Sequence, residues 1–250
     1  RSIDQDSLAA PPSMPDQPSA ADWQLVILAA GWGERFEGAV PKMLAPVRGE
    51  QGLLELLLQA LLEDHLWPAE QISVVGAEAV LPELGHLLLK LNPSLQLHGL
   101  SGEGSRGPLH SLAAVLEAQN PCNSPSQPCW VLHADTYYPR QLLQLLLAQP
   151  PTAKPLMVVV AADPAAVLEV GVALGPGRGW GWRMLPAVAW PPALFSELVE
   201  PDRRPWSQWQ LLNELLPTHP AQALITTAGG VFDVDTVADH QRARQRLQLP

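Results

Sequence analysis

Short apolar runs alternate with longer stretches of helical periodicity through the first 150 residues. The run Leu-Val-Ile-Leu at 25–28 ends in Ala29, Ala30 and Gly31, a pattern typical of a buried parallel strand that leads into a tight turn. Further strands are predicted at 71–75, 95–97 and 130–134, and helices at 53–64, 83–91, 109–119 and 140–148. This alternation predicts a parallel α/β sheet with right-handed crossovers.

The pattern changes after residue 150. Strand-like segments at 156–161, 167–174 and 180–184 are separated by Gly and Pro without a long helix, which predicts a small β-rich insertion covering one edge of the sheet. A helix at 206–216, strands at 223–227 and 231–235 and a last helix capped by Thr236 are predicted to follow. We expect the strand at 231–235 to close the sheet.

Five tryptophans fall in this second half: Trp180, Trp182, Trp190, Trp206 and Trp209. We interpret them as packing aromatics, with the alternative that such rings line an open pocket and hold a ligand.

The length of 250 residues suits a single α/β domain with a substantial core. Residues 1–21 are polar and rich in proline, and we interpret them as a disordered tail or linker before a domain at 22–250. The first residue is Arg, so a fused or neighbouring domain outside this sequence is compatible with it.

Composition and charge exclude several classes of partner. Hydrophobic residues make up 47% of the chain, but no apolar run approaches the roughly 20 residues of a membrane span. The net charge of −10 argues against a nucleic-acid partner, which would need a basic face. Cys122 and Cys129 have no histidines at metal-ligand spacing, so we expect a reduced pair in a cytoplasmic protein, with a local disulfide left open.

Three aspartates are candidates for a metal site. Asp135 follows the strand at 130–134, and ligands of open α/β sheets bind at the carboxyl ends of the strands. Asp233 and Asp235 are two residues apart on a predicted strand, so they face the same side and could complete a hard oxygen site for Mg²⁺. In the alternative interpretation Asp235 caps the last helix and Asp233 faces solvent.

The glycine-rich turn after the first strand carries candidate cations. Arg35 and Lys42 flank a stretch that can fold over a phosphate chain, with Arg gripping oxygens in a fork and Lys acting as a point charge. The turn lacks both the Gly-Lys-Ser/Thr ending of a P-loop and the spacing of a dinucleotide fingerprint. His133 shares a strand face with Asp135, and we interpret it as a supporting or core histidine.

Three segments resemble one family. LVILAAGWGERF at 25–36 with PKMLAPVRG at 41–49 resembles the signature of the nucleotidyltransferases related to sugar-phosphate nucleotidylyltransferases and molybdenum-cofactor nucleotidyltransferases. VLHADTYYP at 131–139 resembles the strand that ends in the family's metal-binding aspartate. VFDVDTVADHQRA at 231–243 resembles its closing acidic strand and helix.

The resemblance implies a Rossmann-like three-layer α/β fold with a mixed sheet of the nucleotide-diphospho-sugar transferase type, in which about 150–220 lies on the acceptor side. Arg35 would hold the β- and γ-phosphates, and Lys42 would stabilise charge at the α-phosphate. Asp135 and Asp235 would bind Mg²⁺, with Asp233 assisting. Residues implied to line the nucleotide are Ala29, Ala30, Gly31 and Gly33, together with Gly107 and Ser111 from the loop at 102–112, GEGSRGPLHSL, which resembles the base-reading loop of the molybdenum-cofactor branch.

The implied activity is transfer of an NMP from a nucleoside triphosphate to a small phosphorylated acceptor, a sugar phosphate or a phospho-alcohol such as phosphocholine, with release of pyrophosphate. Three alternatives stay open: a molybdenum-cofactor guanylyl- or cytidylyltransferase, a sugar-nucleotide-dependent glycosyltransferase, and a nucleotide-binding module without turnover.

Overall fold

The computed structural model describes residues 23–31, 36, 40–100, 107–119, 127–161, 182–216, 218–219, 221–226 and 230–248. The strands in this part of the chain are β1 (Gln24–Ala29), β2 (Ile72–Ala77), β3 (Gln96–Leu100), β4 (Cys129–His133), β5 (Thr136–Tyr137), β6 (Leu156–Ala161), β7 (Trp182–Trp190), β8 (Gln222–Thr226) and β9 (Phe232–Asp233). The helices are α1 (Leu53–Leu62), α2 (Leu81–Leu91), α3 (Pro108–Gln119), α4 (Arg140–Leu147), α5 (Phe195–Val199), α6 (Gln208–Leu215) and α7 (Val237–Gln248).

Seven strands form the central sheet in the order β3-β2-β1-β4-β7-β6-β8. Only β7 among them runs antiparallel to its neighbours, so the sheet is mixed. The chain moves outward from β1 to β3 and returns to β4 beside β1. Right-handed crossovers therefore place α1 and α2 on one face and α3 on the other, and α1 contacts α2 while α3 contacts α5. The predicted Rossmann-like α/β architecture with a mixed sheet is confirmed.

The second half of the chain contributes more to the sheet than its sequence indicates. Its strands β6 and β7 are members of the central sheet, and β7 lies between β4 and β6 instead of covering an edge. The strand β7 extends to Trp190, well beyond the predicted end at residue 184, and α5 has no counterpart among the predicted elements. The predicted strand at 167–174 lies outside the described residues.

The last strand does not close the central sheet, contrary to the prediction. Instead β9 pairs antiparallel with β5 in a separate two-stranded sheet, in which Thr136 lies opposite Asp233. Both strands have only two residues, so their pairing joins two loops at the carboxyl end of β4. This small sheet carries the acidic residues of the C-terminal segment to Asp135.

The core is continuous around the sheet. The strands β1, β2 and β4 are almost wholly buried, as expected for central parallel strands covered on both faces. Trp23 and Trp130 pack against each other with ring centroids 5.5 Å apart. Burial raises the pKa of the Cys129 thiol to about 12, so this free cysteine is an inert core residue. Cys122 lies outside the described residues.

No helix in the described part of the chain is long and apolar enough to cross a membrane.

Candidate functional site

The turn after β4 holds Asp135 in place through backbone hydrogen bonds. The N–H of Ala134 donates to the carbonyl of Leu28 in β1 at 3.0 Å, and the carbonyl of Asp135 accepts from the N–H of Val234 at 3.0 Å. The N–H of His133 donates to Tyr138 Oη at 2.9 Å, and that hydroxyl donates to the carbonyl of Pro186 at 2.8 Å. The turn is therefore tied to three separate segments of the chain.

Lys42 lies between two of the predicted metal ligands. Its Nζ is 2.5 Å from Asp135 Oδ2 and 2.9 Å from Asp235 Oδ1. The lysine is 7% exposed, whereas the side chain of Asp235 is 46% exposed at the rim. Lys42 and Asp235 are 193 residues apart in sequence, so this contact depends on the C-terminal segment folding back onto the sheet.

Burial of Lys42 opposes its charge, but the two carboxylates outweigh that effect. Desolvation alone would lower the pKa of Lys42, whereas Asp135 and then Asp235 attract its charge and accept its hydrogen bonds, so the pKa is raised above the ordinary value. Lys42 is therefore a cation at physiological pH.

Asp233 faces the same region but has a different contact. Its Oδ1 accepts a hydrogen bond of 2.6 Å from the buried hydroxyl of Thr136. The opposition of Asp233 to Thr136 in the small sheet puts the two side chains within reach of each other. Thr136 thereby fixes the orientation of one carboxylate oxygen.

The donor set is compatible with Mg²⁺. Within the described residues, no group of three or more His, Cys, Asp and Glu side chains is arranged to hold a metal ion. However, Asp135 and Asp235 already converge on one cation, the ammonium of Lys42. Hard carboxylate oxygens are the ligands that Mg²⁺ prefers, and Mg²⁺ usually completes its shell with water and substrate phosphates. These residues therefore fit a divalent ion that arrives with a nucleotide.

An open cavity of about 250 Å³ lies beside the acidic residues. Its lining combines the three aspartates and His133 with Pro186 from β7 and residues at the start of α6. Its described lining is His133, Asp135, Pro186, Ser207, Gln208, Trp209, Asp233 and Asp235. The cavity is large enough for a small polar molecule next to Asp135.

His133 lines the cavity, and its interpretation as a supporting or core histidine stays a prediction. Burial lowers the pKa of His133, and the nearby carboxylates of Asp135 and Asp233 offset that effect only in part. Its Nε2 lies 3.3 Å from the amide nitrogen of Gln208. The ring is therefore neutral at physiological pH.

The first backbone amides of α3 are hydrogen-bonded to the segment that precedes α6. The N–H groups of Leu109 and His110 donate to the carbonyls of Trp206 and Arg204, at 3.3 and 3.0 Å. A Cβ on Gly107 would lie 2.6 Å from the carbonyl oxygen of Pro205, so this glycine allows the close approach of the 204–206 segment. These amides are occupied, and a phosphate cannot bind to them as they stand. Ser111 is buried in the same helix.

The front loop is described only in part. Ala29 and Ala30 are buried, and Gly31 is exposed with open space where a Cβ would lie. Gly33 and Arg35 lie outside the described residues, and their predicted phosphate contacts stay predictions.

The hydrogen bonds at the start of the last helix show which residue caps it, Thr236 or Asp235. Thr236 Oγ1 accepts the N–H of Asp239 at 3.2 Å, and Asp239 Oδ2 accepts the N–H of Thr236 at 2.9 Å. This reciprocal pair caps α7, as predicted for Thr236. Asp235, by contrast, contacts Lys42.

Sequence reasoning missed several residues around the cavity. Thr136 and Gln208 are buried polar residues in contact with candidate site residues. The core residue Trp190 donates a hydrogen bond to Gln208. A local signal for Gln208 was present, because Ser207 and Gln210 form a capping box that starts α6 at Gln208 and not at residue 206. Of the five tryptophans, Trp190 is in the core and Trp209 lines the cavity.

The sequence at 25–226 matches the model of the MobA-like NTP transferase domain family. The chain belongs to this family. It is accordingly a nucleotidyltransferase of the NTP transferase type. Asp233 and Asp235 lie beyond the matched range, so their association with Asp135 rests on the geometry described above.

Solved structures of NTP transferases share the fold. A Bacillus anthracis protein assigned as a glucose-1-phosphate thymidylyltransferase aligns with a TM-score of 0.70 at 15% identity, over 90% of this chain and 95% of that one. The inositol-1-phosphate CTP transferase from T. maritima aligns with a TM-score of 0.65 at 14% identity, over 90% and 95%. HddC from Yersinia pseudotuberculosis, complexed with GMP-PN, aligns with a TM-score of 0.61 at 17% identity, over 90% and 99%. No curated protein sequence matches the chain.

Proposed function

We propose that this NTP transferase uses Mg²⁺ to transfer an NMP from a nucleoside triphosphate to a small phosphorylated acceptor, with release of pyrophosphate. The observation that carries the proposal is the placement of Lys42 between Asp135 and Asp235 beside an open cavity at the carboxyl end of β4. This arrangement combines a fixed positive charge with two hard metal ligands where open α/β sheets bind their substrates.

In this proposal an acceptor phosphate oxygen forms a bond to the α-phosphorus, and the bond from that phosphorus to the oxygen bridging to the β-phosphate breaks. Lys42 offsets the negative charge that develops at the α-phosphate, and Asp135 and Asp235 would hold Mg²⁺. Bound Mg²⁺ supplies further neutralisation of the phosphate oxygens. The protein otherwise acts by positioning the two substrates, so no covalent nucleophile from the protein is needed.

The acceptor is proposed to bind in the cavity, as a sugar phosphate or a phospho-alcohol such as phosphocholine. Pro186 and residues at the start of α6 line the cavity, and they belong to the segment of about 150–220 that is expected on the acceptor side. The names of two solved relatives, which specify glucose 1-phosphate and inositol 1-phosphate, support a phosphorylated polyol. The resemblance of the loop at 102–112 to the molybdenum-cofactor branch supports molybdopterin as a second candidate acceptor.

The test is Mg²⁺-dependent pyrophosphate release with CTP, GTP, UTP, ATP and dTTP, each offered with sugar phosphates, inositol 1-phosphate, phosphocholine and molybdopterin. Turnover with one nucleotide and one acceptor class would support the proposal and name the substrates. Asp135→Asn should reduce that turnover on the order of 100-fold or more, because a metal ligand contributes several kcal/mol to charge stabilisation. Asp202→Asn, an exposed aspartate, is the matched control and should retain activity.

Two results would contradict the proposal. Nucleotide binding without turnover across the whole panel would favour a binding module. Release of a nucleoside diphosphate from a sugar nucleotide would favour the glycosyltransferase alternative.

A further inference from the structure

A chain of three hydrogen-bonding side chains runs from the core to the cavity wall. Trp190 is fully buried in β7, and its indole N–H donates to Gln208 Oε1 at 2.9 Å. An indole nitrogen can only donate, so the atom of Gln208 that faces it must be the carbonyl oxygen. The donor on Trp190 therefore determines which way the Gln208 amide is oriented.

The fixed amide in turn assigns the proton on His133. Gln208 Nε2 lies 3.3 Å from His133 Nε2, and an amide nitrogen can only donate. His133 Nε2 must then accept, and a neutral imidazole that accepts at one nitrogen carries its proton on the other. His133 is thereby held as the Nδ1–H tautomer.

The backbone around Gln208 gives it little freedom to shift. Gln208 is 3% exposed and is the first residue of α6. The helix start is held by the capping box, in which Ser207 Oγ accepts the N–H of Gln210 at 3.2 Å and Gln210 Oε1 accepts the N–H of Ser207 at 2.7 Å. Gln208 therefore sits at a well-held helix start and uses both ends of its amide, as expected of a residue that orients a neighbouring side chain.

His133 and three aspartates are among the residues that line the cavity. The neighbouring carboxylates of Asp135, Asp233 and Asp235 can only accept hydrogen bonds when they are ionised. His133 has Nδ1–H left as its ring donor, because Nε2 is used by Gln208. A ligand oxygen can accept a hydrogen bond from that donor, whereas an ammonium or other donor-only group cannot.

We propose that Gln208 is a positioning residue that holds His133 as the Nδ1–H tautomer, and that His133 donates this hydrogen bond to an oxygen of the acceptor in the cavity. The second part rests on the proposed function, whereas the tautomer does not.

The tautomer is tested first, by long-range ¹H–¹⁵N NMR of the histidine-labelled protein at about pH 8, above the ordinary imidazole pKa of about 6.5. The wild-type signals of His133 should show an unprotonated Nε2 and a protonated Nδ1. Gln208→Glu offers two acceptor oxygens, one for Trp190 and one for His133, so the proton should move to Nε2. Gln208→Met keeps the side-chain length but removes both hydrogen bonds, so the two tautomers should mix.

Gln144→Glu introduces the same charge on an exposed position of α4 and should leave the His133 signals unchanged. A protonated Nε2 in the wild-type protein would overturn the proposal, as would identical His133 signals in wild type and in both Gln208 variants. Thermal unfolding of each variant distinguishes a changed tautomer from a lost fold.

The acceptor contact is tested by steady-state kinetics. Gln208→Glu should raise the acceptor KM by about tenfold or more, because it removes the ring donor and adds a negative charge beside the acceptor phosphate, while the nucleotide KM and kcat stay within about twofold. A general loss of kcat with an unchanged acceptor KM would refute the acceptor contact. If no acceptor is turned over by wild type, the proposed function and the acceptor contact fail together, and the ring signals still decide the role of Gln208.

Discussion

Lys42 is the residue on which the site's charge balance depends. A lysine with 7% exposure is costly unless its charge is paired, and here it contacts Asp135 and Asp235 at 2.5 and 2.9 Å. The same two carboxylates are the proposed ligands of Mg²⁺. If those carboxylates hold Mg²⁺ as proposed, the ammonium and the metal ion would compete for the same oxygens when no nucleotide phosphate is present to attract the lysine.

We predict that Lys42→Met lowers pyrophosphate release by roughly 10²- to 10³-fold, as for loss of one charge-stabilising group. The same variant should bind Mn²⁺ more tightly than wild type in the absence of nucleotide, because the competing ammonium is gone. Titration followed by electron paramagnetic resonance measures the affinity. Lys90→Met, which removes an exposed lysine paired with Glu55, is the control and should change neither quantity.

The stabilisation of the folded protein by this ion pair should be lost as the pH becomes alkaline. The pKa of Lys42 is raised above the ordinary value in the folded protein, so its contribution is fully present below the unfolded pKa of about 10.4 and is lost as the pH rises through the folded pKa. We expect the free energy of unfolding of wild type to fall more steeply than that of Lys42→Met between about pH 9 and pH 12. Parallel curves from urea titrations of the two proteins would contradict this prediction.

At the scale of elements, helix starts position the site. The start of α6 carries Gln208 and Trp209 into the cavity wall, and the start of α7 follows Asp235 directly. The start of α3 is instead held by the carbonyls of Arg204 and Trp206, which joins α3 to the segment before α6. The first turn of α6 therefore lines the cavity, and the first turn of α3 is bonded to the segment that leads into α6.

The cap of α7 should be measurable by itself. Thr236→Ala removes the hydroxyl that accepts the N–H of Asp239, and we expect a loss of about 1 kcal/mol in the free energy of unfolding. Thr236→Ser keeps the hydroxyl and should lose much less. Urea unfolding monitored by circular dichroism gives both values, and equal stability of the two variants would show that the hydroxyl is not the stabilising group.

At the scale of the whole molecule, the site lies where the most buried strands end. The strands β1, β2 and β4 are covered on both faces, while β3 and β8 are the edges of the central sheet. The residues of β3 are mostly partly or fully exposed. Rigid central strands hold Asp135, and the C-terminal segment reaches it through the short β5–β9 pairing.

We predict that amide hydrogen exchange is slowest in β1, β2 and β4 and at least about tenfold faster in β3 and β8, because edge strands open locally before the core does. Exchange followed by mass spectrometry on peptides from these strands measures the difference. Equal protection of β8 and β1 would mean that the edge is covered by something more than the described sheet.

The sequence by itself determined most elements of the first 150 residues and placed Asp135 after a strand. The apolar run at 25–28, the helical periodicity predicted over 53–64 and the cap at Thr236 all depend on residues close in sequence, and the structure has a strand, a helix at 53–62 and a helix cap there. Asp135 could be placed at the carboxyl end of a strand, because the end of that strand can be recognised from one continuous segment of sequence. The family signature added the nucleotidyltransferase assignment.

Only the tertiary structure decided which segments meet. Apolar patterns encode burial and period but not the partner of a strand, so the sequence could not place β7 between β4 and β6 or pair β9 with β5. The contacts of Lys42 with Asp235 and of Gln208 with His133 follow from those pairings, across 193 and 75 residues of chain. Long-range packing chooses among pairings that satisfy the local pattern equally well, and that choice brings the site together.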